Sequence, residues 1–111
     1  MIDVSDKHFE IILDILARFV PECEVRAFGS RCNGKAKKYS DLDLAIVGKE
    51  KIDSKKIIDI KEAFEESDLP YRIDVLDWNV ISKNFRKIIG EKYEVIQKAE
   101  RNFDDEKLLP G

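Results

Sequence analysis

The chain is poor in the residues that mark special environments. Two cysteines, Cys23 and Cys32, and one histidine stand among 111 residues. The cysteines lack C-x-x-C spacing, which argues against a zinc site and leaves reduced thiols in a reducing compartment as the expectation. No apolar run approaches the ~20 residues of a membrane span. The first six residues are polar and acidic, unlike a signal peptide, so a cytoplasmic protein without membrane association is expected. There is no basic excess either. The net charge is −3, which argues against general nucleic-acid binding. Repeats, low-complexity segments and a domain linker are all missing from the sequence, and the length suits one domain. Residues 1–101 are read as that domain and 102–111 as a polar tail.

What the chain does have is 43% apolar and 39% charged residues, the balance of a folded soluble domain. Apolar residues recur at helical spacing over 5–20 (Phe9, Ile12, Leu13, Leu16), with Ser5 as N-cap and Pro21 as the stop. His8, in the first turns, has no second ligand at a useful spacing and reads as a surface residue. Residues 24–28 form a short strand leading into Gly29. A short helical turn is expected from Ser30, then a polar loop with Asn33-Gly34 as a turn signal. Residues 41–47 are the clearest strand. Asp53 or Ser54 caps a second helix carrying Ile57, Ile60 and Phe64, and 71–76 is a third strand. A helix through Phe85, Ile88 and Ile89 is expected to end at Gly90 as a C′ residue. Residues 93–97 are assigned to a short edge strand in preference to helix. Short strands interspersed with helices predict a small α/β sheet covered by helices on one side.

The most informative pattern is G-S-x10-D-x-D: Gly29-Ser30, ten residues, then Asp41 and Asp43. A D-x-D alone is expected roughly once by chance in a chain this rich in Asp, but Gly-Ser at one fixed offset lowers that to roughly a few in a thousand. Alternation places Asp41 and Asp43 on one face of their strand and Leu42, Leu44 and Ile46 on the other, in the core. Two adjacent carboxylates repel each other and suit a divalent cation such as Mg2+, which takes oxygen ligands. Glycine lets a backbone approach a phosphate closely, and free N–H groups at a turn present positive dipole ends to it. The Ser30 hydroxyl adds a donor, and Arg31 is placed to reach phosphate or a nearby acid. From residue 25 to residue 40 the chain carries Arg26, Arg31, Lys35, Lys37 and Lys38 and no acid. Beside a phosphate cradle, that excess favours a polyphosphate.

A third carboxylate, Asp74, interrupts the third strand, where Asp has poor β propensity and little structural reason to be. Ile73 and Val75 share the opposite face, so Asp74 joins Asp41 and Asp43 if the strands are neighbours. Asp77 has the wrong parity for that role. Three carboxylates permit two-ion phosphoryl chemistry, an in-line attack on the α-phosphorus of a nucleoside triphosphate, with Asp74 helping to remove the nucleophile's proton.

With these residues assembled, the sequence resembles a minimal nucleotidyltransferase of the DNA polymerase β superfamily. The matching residues are Phe28-Gly29-Ser30-Arg31, Gly34, Ser40-Asp41-Leu42-Asp43-Leu44-Ala45-Ile46 and Asp74. It is similar in particular to the stand-alone antitoxins paired with HEPN-domain toxins, the MntA–HepT type. The resemblance implies a nucleotidyltransferase fold, a small mixed α/β (α+β) sheet packed with helices. It implies metal ligands at Asp41, Asp43 and Asp74, two Mg2+ ions, and nucleotide contacts at Gly29, Ser30, Arg31 and Ser40. It further implies AMP transfer from ATP to a tyrosine of a HEPN RNase toxin that forms a hetero-oligomer with the chain. The competing readings are a non-catalytic module that neutralises a partner by binding, and nucleotidyl transfer to a small molecule such as an aminoglycoside.

Overall fold

The computed structural model describes residues 2–99. The expected tail at 102–111 lies outside the described residues. The elements run α1 (Asp6–Phe19), β1 (Glu24–Phe28), β2 (Leu42–Val47), α2 (Ser54–Glu66), β3 (Ile73–Asp77), α3 (Lys83–Glu91) and β4 (Glu94–Gln97). All three helices start at short polar caps. The side chains of Ser5, Asp53 and Ser82 accept from the backbone N–H of His8, Lys55 and Phe85, respectively. Each satisfies an N–H group that the first helical turn leaves without a partner.

The four strands form one mixed sheet in the order β3-β2-β1-β4. β1 pairs antiparallel with β2 and β4, and β2 pairs parallel with β3. A parallel pair needs a crossover, which α2 provides. Strand order could not be read from the sequence because the 29–40 connection is irregular. The structure resolves it by pairing β1 with β2 as a hairpin around that connection.

Ile12 and Leu16 of α1 and Ile60 and Phe64 of α2 share one core cluster with Val25, Ala27, Leu42, Leu44, Ile46, Ile73 and Val75. This is the expected face of each strand. Two expectations need correction. The helices do not all lie on one side: Phe28, on the sheet face opposite that cluster, meets Phe85 of α3 edge to face at 6.0 Å. Gly90 is not a C′ residue but lies inside α3; only Gly29 and Gly34 among the described glycines have positive φ. The helix runs on to Glu91, and its C-cap, Lys92, donates its N–H to the Ile89 carbonyl. The segment after Ser30 forms hydrogen-bonded turns rather than a regular helix. Cys32 N–H donates to the Gly29 carbonyl at 2.9 Å and Lys35 N–H to the Ser30 carbonyl at 3.3 Å.

Candidate active site

The start of β2, the start of β3 and the end of β1 meet at one end of the sheet. In the ladders, Asp43 is the partner of both Phe28 and Asp74. Because β2 and β3 are parallel and in register, both carboxylates project from the same face, away from the core. Asp43 is half-buried. Burial first, then the Asp74 and Asp41 carboxylates beside it and a hydrogen bond with Asp74, push the Asp43 carboxyl up to about 6. Its charged form is disfavoured on every count. Arg72, just ahead of β3, pairs with the Asp74 carboxylate, Nε to Oδ1 at 3.2 Å.

Gly29 stands directly against Asp43. Its φ of +82° is a left-handed conformation, and a Cβ there would fall 2.2 Å from Asp43 Oδ2. The position admits glycine on two independent grounds, backbone conformation and space. Gly34, at φ +77°, closes the next turn, where Asn33 Oδ1 accepts from Lys35 N–H at 3.0 Å.

Asp41 immediately precedes β2 and is exposed. It lies near enough to act electrostatically on Asp43. Among the described residues, no three acidic, histidine or cysteine side chains already form a cluster that could hold a metal ion. The structure thus pairs Asp43 with Asp74 and leaves Asp41 at the rim. The donor chemistry nevertheless fits a divalent cation. Hard carboxylate oxygens are crowded so that one is driven towards protonation, and a cation would relieve that crowding.

Asp77, on the opposite parity, takes a structural role instead. It is buried, and its carboxylate accepts from Ile52 N–H at 2.7 Å and Asn79 N–H at 2.9 Å. It fixes the entry to α2 and the turn after β3 rather than facing Asp43.

Arg31 is only 6% exposed, and its guanidinium is turned to backbone carbonyls. Nε donates to the Ser40 carbonyl at 2.8 Å, Nη1 to the Asp3 carbonyl at 2.8 Å, and Nη2 to the Lys37 and Lys38 carbonyls at 3.4 and 3.0 Å. Its Cζ lies 3.8 Å from the Tyr71 ring centroid. Ser40 also belongs to this loop structure, because its hydroxyl accepts from Lys37 N–H at 2.8 Å. Arg26 is likewise occupied, 4.7 Å from the Trp78 ring and 4.8 Å from the Tyr93 ring. Of the five cations in the basic segment, Lys35, Lys37 and Lys38 are the exposed ones.

Two features of the site were not anticipated from the sequence. The Phe28–Phe85 pair sets an apolar wall beside Asp43, and Arg72 pairs with Asp74. The i, i+2 spacing of Arg72 and Asp74 was the available signal for the second; nothing local signalled the first. Neither cysteine offers a reactive thiol. Burial and the neighbouring Glu22 push Cys23 up to about 11, and burial raises Cys32. No helix among the described residues is long and apolar enough to cross a membrane.

The polymerase beta nucleotidyltransferase family model matches residues 12–102. A Haemophilus influenzae protein named probable protein adenylyltransferase MntA is 50% identical over 103 residues, covering 93% of this chain and 90% of that protein. Two solved structures share the fold at low identity. One is a toxin–antitoxin with AMP-PNP (TM-score 0.71, 20% identity, 89% of this chain and 78% of that chain). The other is a tri-AMPylated Shewanella oneidensis HEPN toxin in complex with MNT antitoxin (TM-score 0.64, 17% identity, 92% and 76%). With Gly29 packed on Asp43, Asp43 paired with Asp74, and a family match over most of its length, this chain belongs to the polymerase beta nucleotidyltransferase family.

Proposed function

We propose that this chain is a protein adenylyltransferase that moves AMP from ATP to a tyrosine of a partner HEPN-domain toxin, and acts in the cytoplasm as its antitoxin. The observation that carries the reading is the pairing of Asp43 with Asp74 across parallel strands, against a Gly29 backbone with no room for a Cβ. It is supported by 50% identity, over nearly the whole chain, to a protein named for that activity.

Asp41, Asp43 and Asp74 would hold Mg2+, which when bound neutralises the triphosphate and the charge that develops in the transition state. The chain's own residues do the rest. Gly29 and Ser30 bring backbone close to the phosphates, and the exposed Lys35, Lys37 and Lys38 draw the polyphosphate to that end of the sheet. Phe28, the ladder neighbour of Asp43, gives that carboxylate an apolar flank on one side. The tyrosine phenol oxygen attacks the α-phosphorus in line, the bond to the pyrophosphate oxygen breaks, and pyrophosphate leaves. Asp74 takes the phenol proton, and Arg72 holds the Asp74 carboxylate on the reacting face. Ser40 and Arg31 serve the loop that carries Asp41 rather than touching nucleotide.

The test is a transfer assay. The purified chain is mixed with its HEPN partner, Mg2+ and α-phosphate-labelled ATP, with Asp43→Asn as control. Label on the partner that is lost with Asp43→Asn is the expected result. A stable complex without label would replace this reading with neutralisation by binding alone.

A further inference from the structure

Arg31 is a buried cation whose four hydrogen bonds all end on backbone carbonyls. Burying a guanidinium is costly unless each donor is met, so this arrangement needs a reason. The carbonyls belong to two separate segments. Asp3 precedes α1, whereas Lys37, Lys38 and Ser40 lie at the end of the loop that leads to Asp41. The arginine itself follows Gly29-Ser30 directly. Its backbone carbonyl, in turn, accepts from Asp3 N–H at 2.7 Å. One residue therefore ties the phosphate-side turn, the N-terminal segment and the approach to Asp41 into one unit.

The consequence falls on Asp41. Its side chain is exposed and gains no fixed position from packing. Its backbone, however, is held on both sides. The Ser40 carbonyl just before it is bonded to Arg31 Nε, and Leu42 N–H just after it donates to the Arg72 carbonyl at 2.9 Å. The loop cannot relax away from the arginine, because Ser40 N–H and Lys37 N–H are internally bonded, to the Lys37 carbonyl and the Ser40 hydroxyl. Tyr71 backs the guanidinium at 3.8 Å and sits one residue before Arg72. The two anchors of Asp41 thus lean on each other.

We propose that Arg31 is a positioning residue: its guanidinium fork sets the place of Asp41 relative to the Asp43–Asp74 pair, and with it the affinity of the site for a divalent cation. The inference rests on the function proposed above. A lysine cannot replace the fork, because its single ammonium does not present planar, divergent donors or a flat face to Tyr71.

Three measurements on the full chain test it, each comparing Arg31→Lys with wild type. Mn2+ titration followed by electron paramagnetic resonance should show half-saturation rising roughly 10-fold or more, the usual scale for losing a residue that orients a ligand. Amide exchange without metal should show Lys37 and Ser40 losing protection while β1 and β2 keep theirs. AMP transfer should fall roughly 10- to 100-fold, the scale of about 1 Å misplacement. Leu16→Ala, a core truncation that leaves the clamp in place, controls for lost stability and should keep wild-type Mn2+ half-saturation while folded. Should Arg31→Lys not fold, Tyr71→Leu removes the ring beneath the guanidinium and should move Mn2+ binding the same way. Folded Arg31→Lys with wild-type Mn2+ binding would overturn the proposal, as would an equal shift in Leu16→Ala. Loss of transfer in Asp43→Asn but not in Arg31→Lys would remove this inference alone. Wild-type chain that bound no Mn2+ would remove the proposed function and this inference with it.

Discussion

Replacing Asp43 with Asn should make the metal-free protein more stable while abolishing transfer. The reason is the crowding that makes the site. Burial and two neighbouring carboxylates raise Asp43 from 3.8 to about 6, so the folded state holds its proton more tightly than the unfolded chain does. Below pH 4 the carboxyl is neutral in both states and costs nothing. As pH rises from about 4 through about 6 that stability is lost, and above it the ionised group is a full penalty. About two pH units correspond to about 3 kcal/mol at 1.36 per unit. Asp43 is only half-buried, so solvent screening reduces this to about 1–2 kcal/mol. For a domain of this size that is roughly 4–8 °C in Tm. Thermal melts in EDTA at pH 8 and pH 4 provide the assay. Asp43→Asn should melt higher at pH 8, and the gap should close towards pH 4. Added Mg2+ should raise wild type and close the gap at pH 8, because a ligand that binds only the folded state stabilises it. An Asn variant no more stable than wild type at pH 8, or a gap of the same size at both pH values, would refute the argument.

Gly29→Ala should lose about 1–3 kcal/mol from a left-handed residue with a Cβ, and transfer should fall by roughly 100-fold as the Asp43 side chain is displaced; wild-type kcat/KM would show that this close approach is not needed. Asp77→Ala should cost about 2–4 kcal/mol in chemical denaturation, because two N–H groups lose their acceptor. Its transfer activity, measured while folded, should stay near wild type. Asp74→Asn should do the reverse, with an unchanged or raised Tm and no transfer, and the two variants together test which acid of β3 serves the site.

The sequence by itself determined most of the elements and put Asp43 and Asp74 on the face away from the core. Local signals were enough: Ser5 as one cap, Asp53 or Ser54 as another, Pro21 as a stop, and alternation that sent Leu42, Leu44 and Ile46 inward and Asp43 outward. Parity alone separated Asp74 from Asp77, because a strand's two faces follow from its geometry. The tertiary structure decided what depends on distant partners. Strand order came from the pairing of β1 with both β2 and β4, which a period of two residues does not encode. Gly90 could stay helical because helix ends are set by which carbonyls find donors, and a lone glycine only weakens a helix. Phe85 became a wall for Asp43 because α3 crosses to the far face of the sheet. Arg31 is the clearest case. Beside Gly29-Ser30 a free arginine is a phosphate ligand, and the sequence shows nothing that would occupy it. Only folding brings the carbonyls of Asp3, 28 residues away in the chain, and of Ser40 to the same guanidinium, and backbone carbonyls carry no sequence signature.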